Sequence, residues 1–99
     1  MEFYTKVVGV TFDNRQRYIR RTAVGEAVTL ERDRYNQYDS NAIKVINAAG
    51  NQIGHISREL ASTMAPRMDN GVIYCATVTS ITGTNPGENL GVNLLIKCE

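Results

Sequence analysis

The sequence predicts a mainly β fold: a small antiparallel β-barrel of about six strands with one or two short helices. Short runs rich in β-branched residues recur along the chain, and turn-forming residues such as glycine and asparagine separate them. Only one stretch combines helical spacing with clear helix start and stop signals. A sheet this small is expected to curl or close, because closure limits its open edges. With 99 residues there is room for one domain, spanning 1–99.

The N-terminal part is predicted to form a strand followed by a short helix. The run 3–12 is apolar and β-branched, and Gly9 within it indicates a bulge or a close backbone approach. Asp13 and Asn14 end this strand, and either side chain is suited to cap a helix over 15–23. We expect that helix to be mostly solvated, because it contains few large apolar side chains.

The next three strands are predicted to bring a polar loop close to the only histidine. Residues 26–33 alternate between polar and apolar side chains, as a half-buried strand does. The strand-like runs 42–47 and 52–56 flank a tight turn at 48–50, which predicts a β-hairpin. Because the hairpin strands are antiparallel, the loop that precedes the hairpin and His55 are expected at the same end of the sheet.

The second helix has recognisable start and stop signals. Ser57 is a good N-cap for a helix that begins at Arg58, and Asn70 and Gly71 are expected to end it. Pro66 is expected to break or restart the helix, because proline lacks the backbone N–H that a helix interior uses. Three apolar side chains at helical spacing are interpreted as core contacts rather than as a binding groove: Leu60, Met64 and Met68.

Two further strands end the chain and carry both cysteines. Residues 72–81 are β-branched, 83–87 are rich in turn residues, and 90–98 alternate between apolar and polar side chains. If the two strands pair around this turn, Cys75 and Cys98 should face each other. Their spacing is not that of metal ligands, and we expect no structural disulfide in a reducing cytosol.

Composition and charge limit the classes of function. Hydrophobic residues are 42% of the chain and charged residues 21%, and no apolar run approaches the ~20 residues of a membrane helix. No N-terminal stretch resembles a signal peptide, so we expect a cytoplasmic protein without a membrane partner. The net charge is only +1, but most basic residues are arginines in the first two thirds of the chain. They suit either a local phosphate-binding patch or an ordinary solvated surface.

The segment 31–39 has a composition that turns rarely have. It combines two tyrosines, two arginines, three carboxylates and an asparagine. Turns are normally polar, and aromatic side chains seldom lie beside charges in them unless something packs against them. His55, Arg58 and the first amides of the second helix are suited to bind a phosphate, with Arg32 and Arg34 as further candidate phosphate contacts. We interpret the loop and the His55–Arg58 corner as one face that binds a nucleic-acid end.

The residues of this face also have structural alternatives. Tyr38, and Phe12 at the end of the first strand, are suited to stack on bases, but Phe12 also suits the core and Tyr38 could pack over the barrel mouth. Asp39 could accept a hydrogen bond from the 3′-hydroxyl of DNA, cap the turn by accepting backbone amides, or do both with its two oxygens. His55 is similarly suited to a structural role or to ligand binding.

The sequence gives little support to catalysis. It lacks a glycine-rich phosphate loop, a nucleophile elbow and paired metal-binding motifs. A metal-nuclease cluster of Asp33, Asp39 and His55 can be constructed, but their spacing does not require one. We therefore predict a non-catalytic protein without a cofactor. The alternative to DNA binding is a protein-interaction or regulatory small barrel whose loop binds a peptide or a partner, and a nuclease ranks third.

The chain resembles the HIRAN domain family over nearly its whole length. The resemblance rests on the segments 36–45 (NQYDSNAIKV) and 50–56 (GNQIGHI), together with 7–10, 30–33 and 58–61. It implies an OB-like six-stranded barrel that captures the 3′ end of single-stranded DNA, of the bacterial or phage-encoded stand-alone type. It also implies a place in DNA repair or replication-fork processing, with a separate helicase or nuclease protein as a further partner. We expect the module to be a monomer.

Matching motif positions imply a role for each residue of the site. Tyr38 would stack on a terminal base, and Asp39 would accept the 3′-hydroxyl. Three further residues would hold the terminal nucleotides and phosphates: Asn36, His55 and Arg58. Phe12 stands where the family has an aromatic ring at the end of its first strand. The chain departs from the family at Gln37, where proline is usual, and at Thr11, where eukaryotic members have arginine.

Overall fold

The computed structural model describes residues 1–98, which form six strands and two helices. In chain order the elements are β1 (Glu2–Lys6), α1 (Arg15–Ile19), β2 (Ala27–Arg32), β3 (Ile43–Ile46), β4 (Gln52–His55), α2 (Arg58–Asp69), β5 (Tyr74–Thr82) and β6 (Gly91–Cys98). The mainly β class and the number of elements agree with the prediction. No helix within these residues is long and apolar enough to cross a membrane.

The strands form one antiparallel sheet in the order β1-β6-β5-β2-β3-β4. The sheet curls until its two ends meet just beyond β1. There Val8 and His55 exchange two backbone hydrogen bonds, each with an N to O distance of 2.9 Å. The result is a curled half-barrel, which confirms the small OB-like barrel that the sequence predicted. His55 therefore lies at the point where the sheet closes.

The core lies inside the curl and is built from alternate side chains of the strands. In β2, Val28 is buried and Leu30 is partly buried, whereas Thr29 and Glu31 are exposed, as the alternating pattern predicted. β6 contributes three buried side chains to the same core: Val92, Leu94 and Ile96. The apolar face of α2 packs there too, which confirms the core role of its three predicted residues: Leu60, Met64 and Met68.

The first strand is shorter than predicted, and this changes the setting of Phe12. β1 ends at Lys6, and Gly9 turns the chain with a φ of +68°. Asp13 and Asn14 also adopt left-handed backbone conformations, with φ of 51° and 64°, which Asp and Asn tolerate better than most residues. Phe12 therefore lies in a turn, not at the end of a strand.

The two helices differ from their predicted forms. α1 covers only residues 15–19, and Asn14 precedes it without a capping hydrogen bond from its side chain. α2 continues through Pro66, so the expected break is wrong. Met64 and Ala65 are buried beside this proline, and we attribute the continuity of the helix to their packing, which outweighs one missing N–H donor. The helix ends before Asn70 and Gly71, as predicted.

The register of β5 and β6 corrects the prediction for the cysteines. Cys75 lies opposite Lys97, and Cys98 lies opposite Tyr74. The two cysteines thus occupy successive pairs of the ladder. Because successive residues of a strand point to opposite faces of the sheet, Cys75 and Cys98 do not face each other. The predicted pairing of these two strands around a turn is confirmed, but the register within it was one residue away from the expected one.

Candidate nucleic-acid interface

A groove of about 260 Å³ brings together most of the predicted site residues. It lies where the loop 33–42 meets the end of β4 and the start of α2. Its polar and aromatic lining consists of five residues that the sequence singled out: Asn36, Tyr38, Asp39, His55 and Arg58. The β3–β4 register, with Lys44 opposite His55, explains why the loop and the histidine meet. The predicted proximity across this hairpin is confirmed.

Asn36 organises the loop from within. Its side-chain oxygen accepts hydrogen bonds from the backbone N–H groups of Tyr38 and Asp39, at 2.9 and 3.1 Å. Its side-chain nitrogen donates to a carboxylate oxygen of Asp33 at 3.1 Å. Since a side-chain amide has two N–H donors, one of them remains for a ligand in the groove. Asn36 thus fixes the positions of the two residues that follow it.

Arg32 fastens the same loop to α2. Its guanidinium donates to both carboxylate oxygens of Asp69, at 3.0 and 3.2 Å, and to the backbone oxygens of Ala42 and Ser40, at 2.8 and 2.9 Å. The hydrogen bond from Arg32 is the main cause that lowers the pKa of Asp69 below its usual value. Only 12% of the Arg32 side chain is exposed. The structure therefore places Arg32 as a support of the loop, not as a residue open to phosphate.

Tyr38 and Asp39 present different groups to the groove. Tyr38 is 84% exposed, so its ring does not pack over the barrel mouth. One oxygen of Asp39 accepts the backbone N–H of Asn41 at 2.9 Å and so caps the turn. The other oxygen lies 4.0 Å from the side chain of Arg58, which is largely exposed. Asp39 therefore has the turn-capping role and still has an oxygen for a second partner.

The surroundings of His55 favour the neutral form of its imidazole. Its partial burial is the largest cause that lowers its pKa below the ordinary 6.5, and the positive charges of Arg15 and Lys44 act in the same direction. The carboxylate of Asp33 opposes them. A neutral imidazole has one N–H donor and one acceptor nitrogen, so His55 can donate to a phosphate oxygen without carrying a charge.

Phe12 lies beside the groove and is not among its lining residues. Its ring is exposed in the turn after β1. Gly9 shows how close this turn comes to His55: a methyl group on Gly9 would lie 3.8 Å from the Phe12 ring and 4.0 Å from a ring nitrogen of His55. The same methyl group would lie 3.0 Å from the guanidinium of Arg15. Phe12 thus stands next to the histidine side of the groove.

Sequence reasoning missed the two residues that hold the Phe12 turn. Arg15 is buried, and it donates a hydrogen bond of 2.8 Å to the backbone oxygen of Gly9. The side-chain amide of Gln16 donates to the backbone oxygens of Val10 and Leu90 and accepts the N–H of Leu90. Both residues open a short helix directly after a turn. That position was the only signal in the sequence, and it does not reveal partners as distant as Leu90.

A larger cavity of about 570 Å³ lies between the end of α1 and the turn that joins β5 to β6. It contains none of the predicted site residues, and its charged lining consists of Arg20 and Glu88. The larger of these two cavities is therefore not the one that holds the predicted binding residues. Among residues 1–98, no three His, Cys, Asp or Glu side chains are grouped as a metal site requires.

Known proteins resemble this chain over part of their length. The HIRAN domain model matches residues 1–99. The human helicase-like transcription factor is 58% identical over 60 residues, which cover 61% of this chain and 6% of that protein. A Fanconi-associated nuclease 1 homolog from Oryza sativa is 41% identical over 78 residues, which cover 76% of this chain and 8% of that protein. The chain thus corresponds to a small part of these relatives.

Solved structures share the fold. The crystal structure of the HIRAN domain of human HLTF has a TM-score of 0.68 at 33% identity and covers 96% of this chain and 74% of that chain. A protein from Lactobacillus plantarum has a TM-score of 0.74 at 28% identity, with 97% of both chains covered. An NMR structure of the HLTF HIRAN domain in its DNA-bound conformation has a TM-score of 0.67 at 32% identity, covering 98% of this chain and 73% of that chain. By its family match and its six-stranded half-barrel, the chain belongs to the HIRAN domain family.

Proposed function

We propose that this chain is a non-catalytic module that binds the 3′ end of single-stranded DNA in the groove. The observation that carries the proposal is the arrangement around Asp39. One of its oxygens caps the turn, the other lies 4.0 Å from the exposed side chain of Arg58, and the exposed Tyr38 precedes Asp39 in the same groove. A carboxylate repels phosphates, but it is a strong acceptor for a hydroxyl, and the 3′ end of a DNA strand carries one. A relative's structure in a DNA-bound conformation supports DNA as the ligand class.

The groove offers a separate group for each part of a terminal nucleotide. Tyr38 stacks on the base, an interaction that contributes roughly 1–3 kcal/mol and tolerates any sequence. Arg58 and the first amides of α2 bind phosphate, because the first N–H groups of a helix have no intrahelical partner. Ser57 caps this helix by accepting the N–H of Leu60 at 3.3 Å. Asn36 contributes the N–H that the loop does not use.

The other side of the groove contributes His55 and Phe12. His55 donates a hydrogen bond to a phosphate oxygen, and Phe12 offers a second ring to the next base. A phosphate beside His55 would favour its protonated form and raise its pKa, so binding is expected to take up a proton. Affinity for DNA should therefore increase as the pH falls through the pKa that His55 has in the complex.

The cellular role follows from the relatives and is part of the proposal. In the helicase-like transcription factor and the Fanconi-associated nuclease 1 homolog, the matching segment is less than a tenth of the protein. We infer that the present domain acts in DNA repair or replication-fork processing, as a monomeric cytoplasmic protein. A separate helicase or nuclease would then supply the catalysis that the groove does not.

Fluorescence anisotropy with two oligonucleotides tests the proposal. One carries a 3′-hydroxyl and the other a 3′-phosphate, and each is measured at two salt concentrations. We expect the 3′-hydroxyl oligonucleotide to bind tightly and the 3′-phosphate oligonucleotide to lose this affinity. Tyr38→Ala should weaken binding of the 3′-hydroxyl oligonucleotide by about five-fold or more. Tyr4→Ala is the matched control, because Tyr4 is also largely exposed but lies on β1, outside the groove.

Three other results would contradict the proposal. Equal binding of both oligonucleotides with a strong salt dependence would indicate a nonspecific arginine patch. Absence of binding at low salt would favour the alternative, a small barrel that binds a protein partner through the same loop. Cleavage of the labelled strand in the presence of Mg²⁺, abolished in Asp39→Ala, would show a nuclease instead of a binding module.

A further inference from the structure

We propose that Arg34 and Tyr35 form a second nucleotide subsite on the outer side of the loop, which binds a nucleotide 5′ to those in the groove. This inference rests on the proposed function and extends the length of DNA that the domain contacts. Neither residue lines the groove. In the subsite, the Tyr35 ring stacks on a base, and the Arg34 guanidinium pairs with a phosphate of the same strand.

The exposure of Tyr35 is the first observation. Its side chain is 96% exposed, more than any other large hydrophobic or aromatic side chain in residues 1–98. Single exposed apolar residues are common on protein surfaces and need no explanation by themselves. Tyr35, however, lies three residues before Tyr38, on the same loop, and its ring has no packing role in the fold. Two exposed rings at this spacing are suited to successive positions along one strand.

The stiffness of the loop is the second observation. The backbone N–H of Asn36 donates to the backbone oxygen of Asp33 at 3.2 Å, and the Asn36 side chain fixes the backbone of Tyr38. The two rings are therefore attached to a loop that is already ordered. Three residues of chain span at most roughly 11 Å. Stacked nucleotides rise about 3.4 Å each, so a strand that ends in the groove reaches Tyr35 within a few nucleotides.

The ion pairs around Asp69 are the third observation. Arg34 is 61% exposed, and its guanidinium lies 3.0 Å from one oxygen of Asp69. Arg32 binds both oxygens of the same carboxylate. Arg34 can therefore leave Asp69 and bind a phosphate, because Asp69 still keeps Arg32 as a partner. Because exposed ion pairs are weak and the guanidinium fork matches a phosphate well, this exchange favours binding.

Isothermal titration of two oligonucleotides that both end in a 3′-hydroxyl tests the subsite. The dinucleotide is short enough to occupy the groove alone, and the octanucleotide is long enough to extend to the outer side of the loop. We expect Tyr35→Ala to weaken the octanucleotide by about five-fold or more and to leave the dinucleotide within about two-fold of wild type. For the octanucleotide, log K falls with log salt, and Arg34→Gln should make this dependence shallower by about 0.7 in slope, because one phosphate contact is lost.

Two control variants match these changes. Tyr4→Ala removes an exposed tyrosine from β1, and Lys97→Gln removes a cation that is 60% exposed and ion-paired, as Arg34 is. Neither control should change binding of either oligonucleotide. Thermal unfolding of Tyr35→Ala should coincide with that of wild type, because the ring makes no packing contact that the fold needs.

The possible failures are distinguishable. If Tyr35→Ala and Arg34→Gln bind the octanucleotide as wild type does, while Tyr38→Ala weakens both oligonucleotides, the subsite is wrong and the proposed function stands. If Tyr35→Ala weakens the dinucleotide and the octanucleotide equally, Tyr35 acts within the groove and the separate subsite is also wrong. If wild type binds neither oligonucleotide, the proposed function itself fails and the subsite fails with it.

Discussion

Replacing Asp39 by asparagine separates the two roles of this residue. In the wild type, one oxygen accepts the N–H of Asn41 at 2.9 Å, and the other lies 4.0 Å from a nitrogen of Arg58. Asp39→Asn retains an oxygen for the turn and replaces the second oxygen by an NH₂ group. Because NH₂ donates and does not accept, the contact proposed for the 3′-hydroxyl is lost while the turn is kept.

The expected magnitude follows from the contact that is lost. A hydrogen bond to a charged group contributes about 1.5–3 kcal/mol. Its loss should weaken binding of a 3′-hydroxyl oligonucleotide by roughly ten- to hundred-fold. Loss of the ion pair to Arg58 adds little, because that side chain is 79% exposed and the pair is long. Binding of a 3′-phosphate oligonucleotide should stay constant or strengthen, since a repelling charge is removed.

Anisotropy with both oligonucleotides measures this change, and thermal unfolding checks the fold. Asp39→Ala removes both oxygens, so it should also lower the free energy of unfolding by about 1 kcal/mol, because the N–H of Asn41 loses its acceptor. Glu2→Gln, which neutralises a surface carboxylate on β1, is the control for net charge. If Asp39→Asn kept the full preference for a 3′-hydroxyl, the role assigned to this oxygen would be refuted.

Three further changes test the parts that position the groove. Folding lowers the pKa of His55, so the contribution of this residue to the free energy of unfolding is complete above about pH 6.5 and declines as the pH falls below that value. His55→Gln should remove this decline, which thermal unfolding at several pH values measures. A methyl group at Gly54 would collide with the backbone oxygen of Val8, so Gly54→Ala should open the barrel closure and cost roughly 1–3 kcal/mol in urea unfolding. Asp69→Asn weakens the anchor of Arg32, and hydrogen exchange of the amides in the loop 33–42 should accelerate; unchanged exchange would show that the anchor does not order the loop.

The hairpin and its consequence for the site could be predicted because the signals are local. A tight turn at 48–50 joins two strand-like runs, and turn chemistry fixes how the runs pair. The meeting of the loop with His55 follows from antiparallel geometry alone. Ser57 is equally local: an N-cap acts on the amide three residues later, and here its side chain accepts the N–H of Leu60.

The end of the first strand could not be predicted because its signals conflict. Val7, Val8 and Val10 favour a strand, whereas Gly9 and the pair that follows Phe12 favour a turn. The structure follows the turn, with positive φ at Gly9, Asp13 and Asn14. Arg15 and Gln16 hold this turn through hydrogen bonds to Gly9 and to the distant Leu90. No local sequence pattern reveals such contacts. For this reason the predicted position of Phe12 at the end of the first strand was wrong.

The partner of Arg32 was hidden by distance along the chain. Composition alone gave Arg32 and Arg34 the same status as candidate phosphate contacts. Asp69 lies 37 residues from Arg32, at the end of α2, and it binds Arg32 through both oxygens but Arg34 through one. The same carboxylate therefore turns one arginine into a support and leaves the other exposed. The position of Asp69 at the end of α2, close to the end of β2, decides which arginine has which role.

This division between supporting and exposed residues bears directly on affinity. A loop that becomes ordered only on binding offsets part of the interaction energy with lost conformational freedom. Here Arg32 and Asn36 already fix the loop through hydrogen bonds to its backbone, while Tyr38 and Arg58 remain exposed. Little further ordering is then needed when a nucleotide enters. If the groove binds a nucleotide as proposed, its stacking and phosphate contacts should therefore appear nearly undiminished in the affinity.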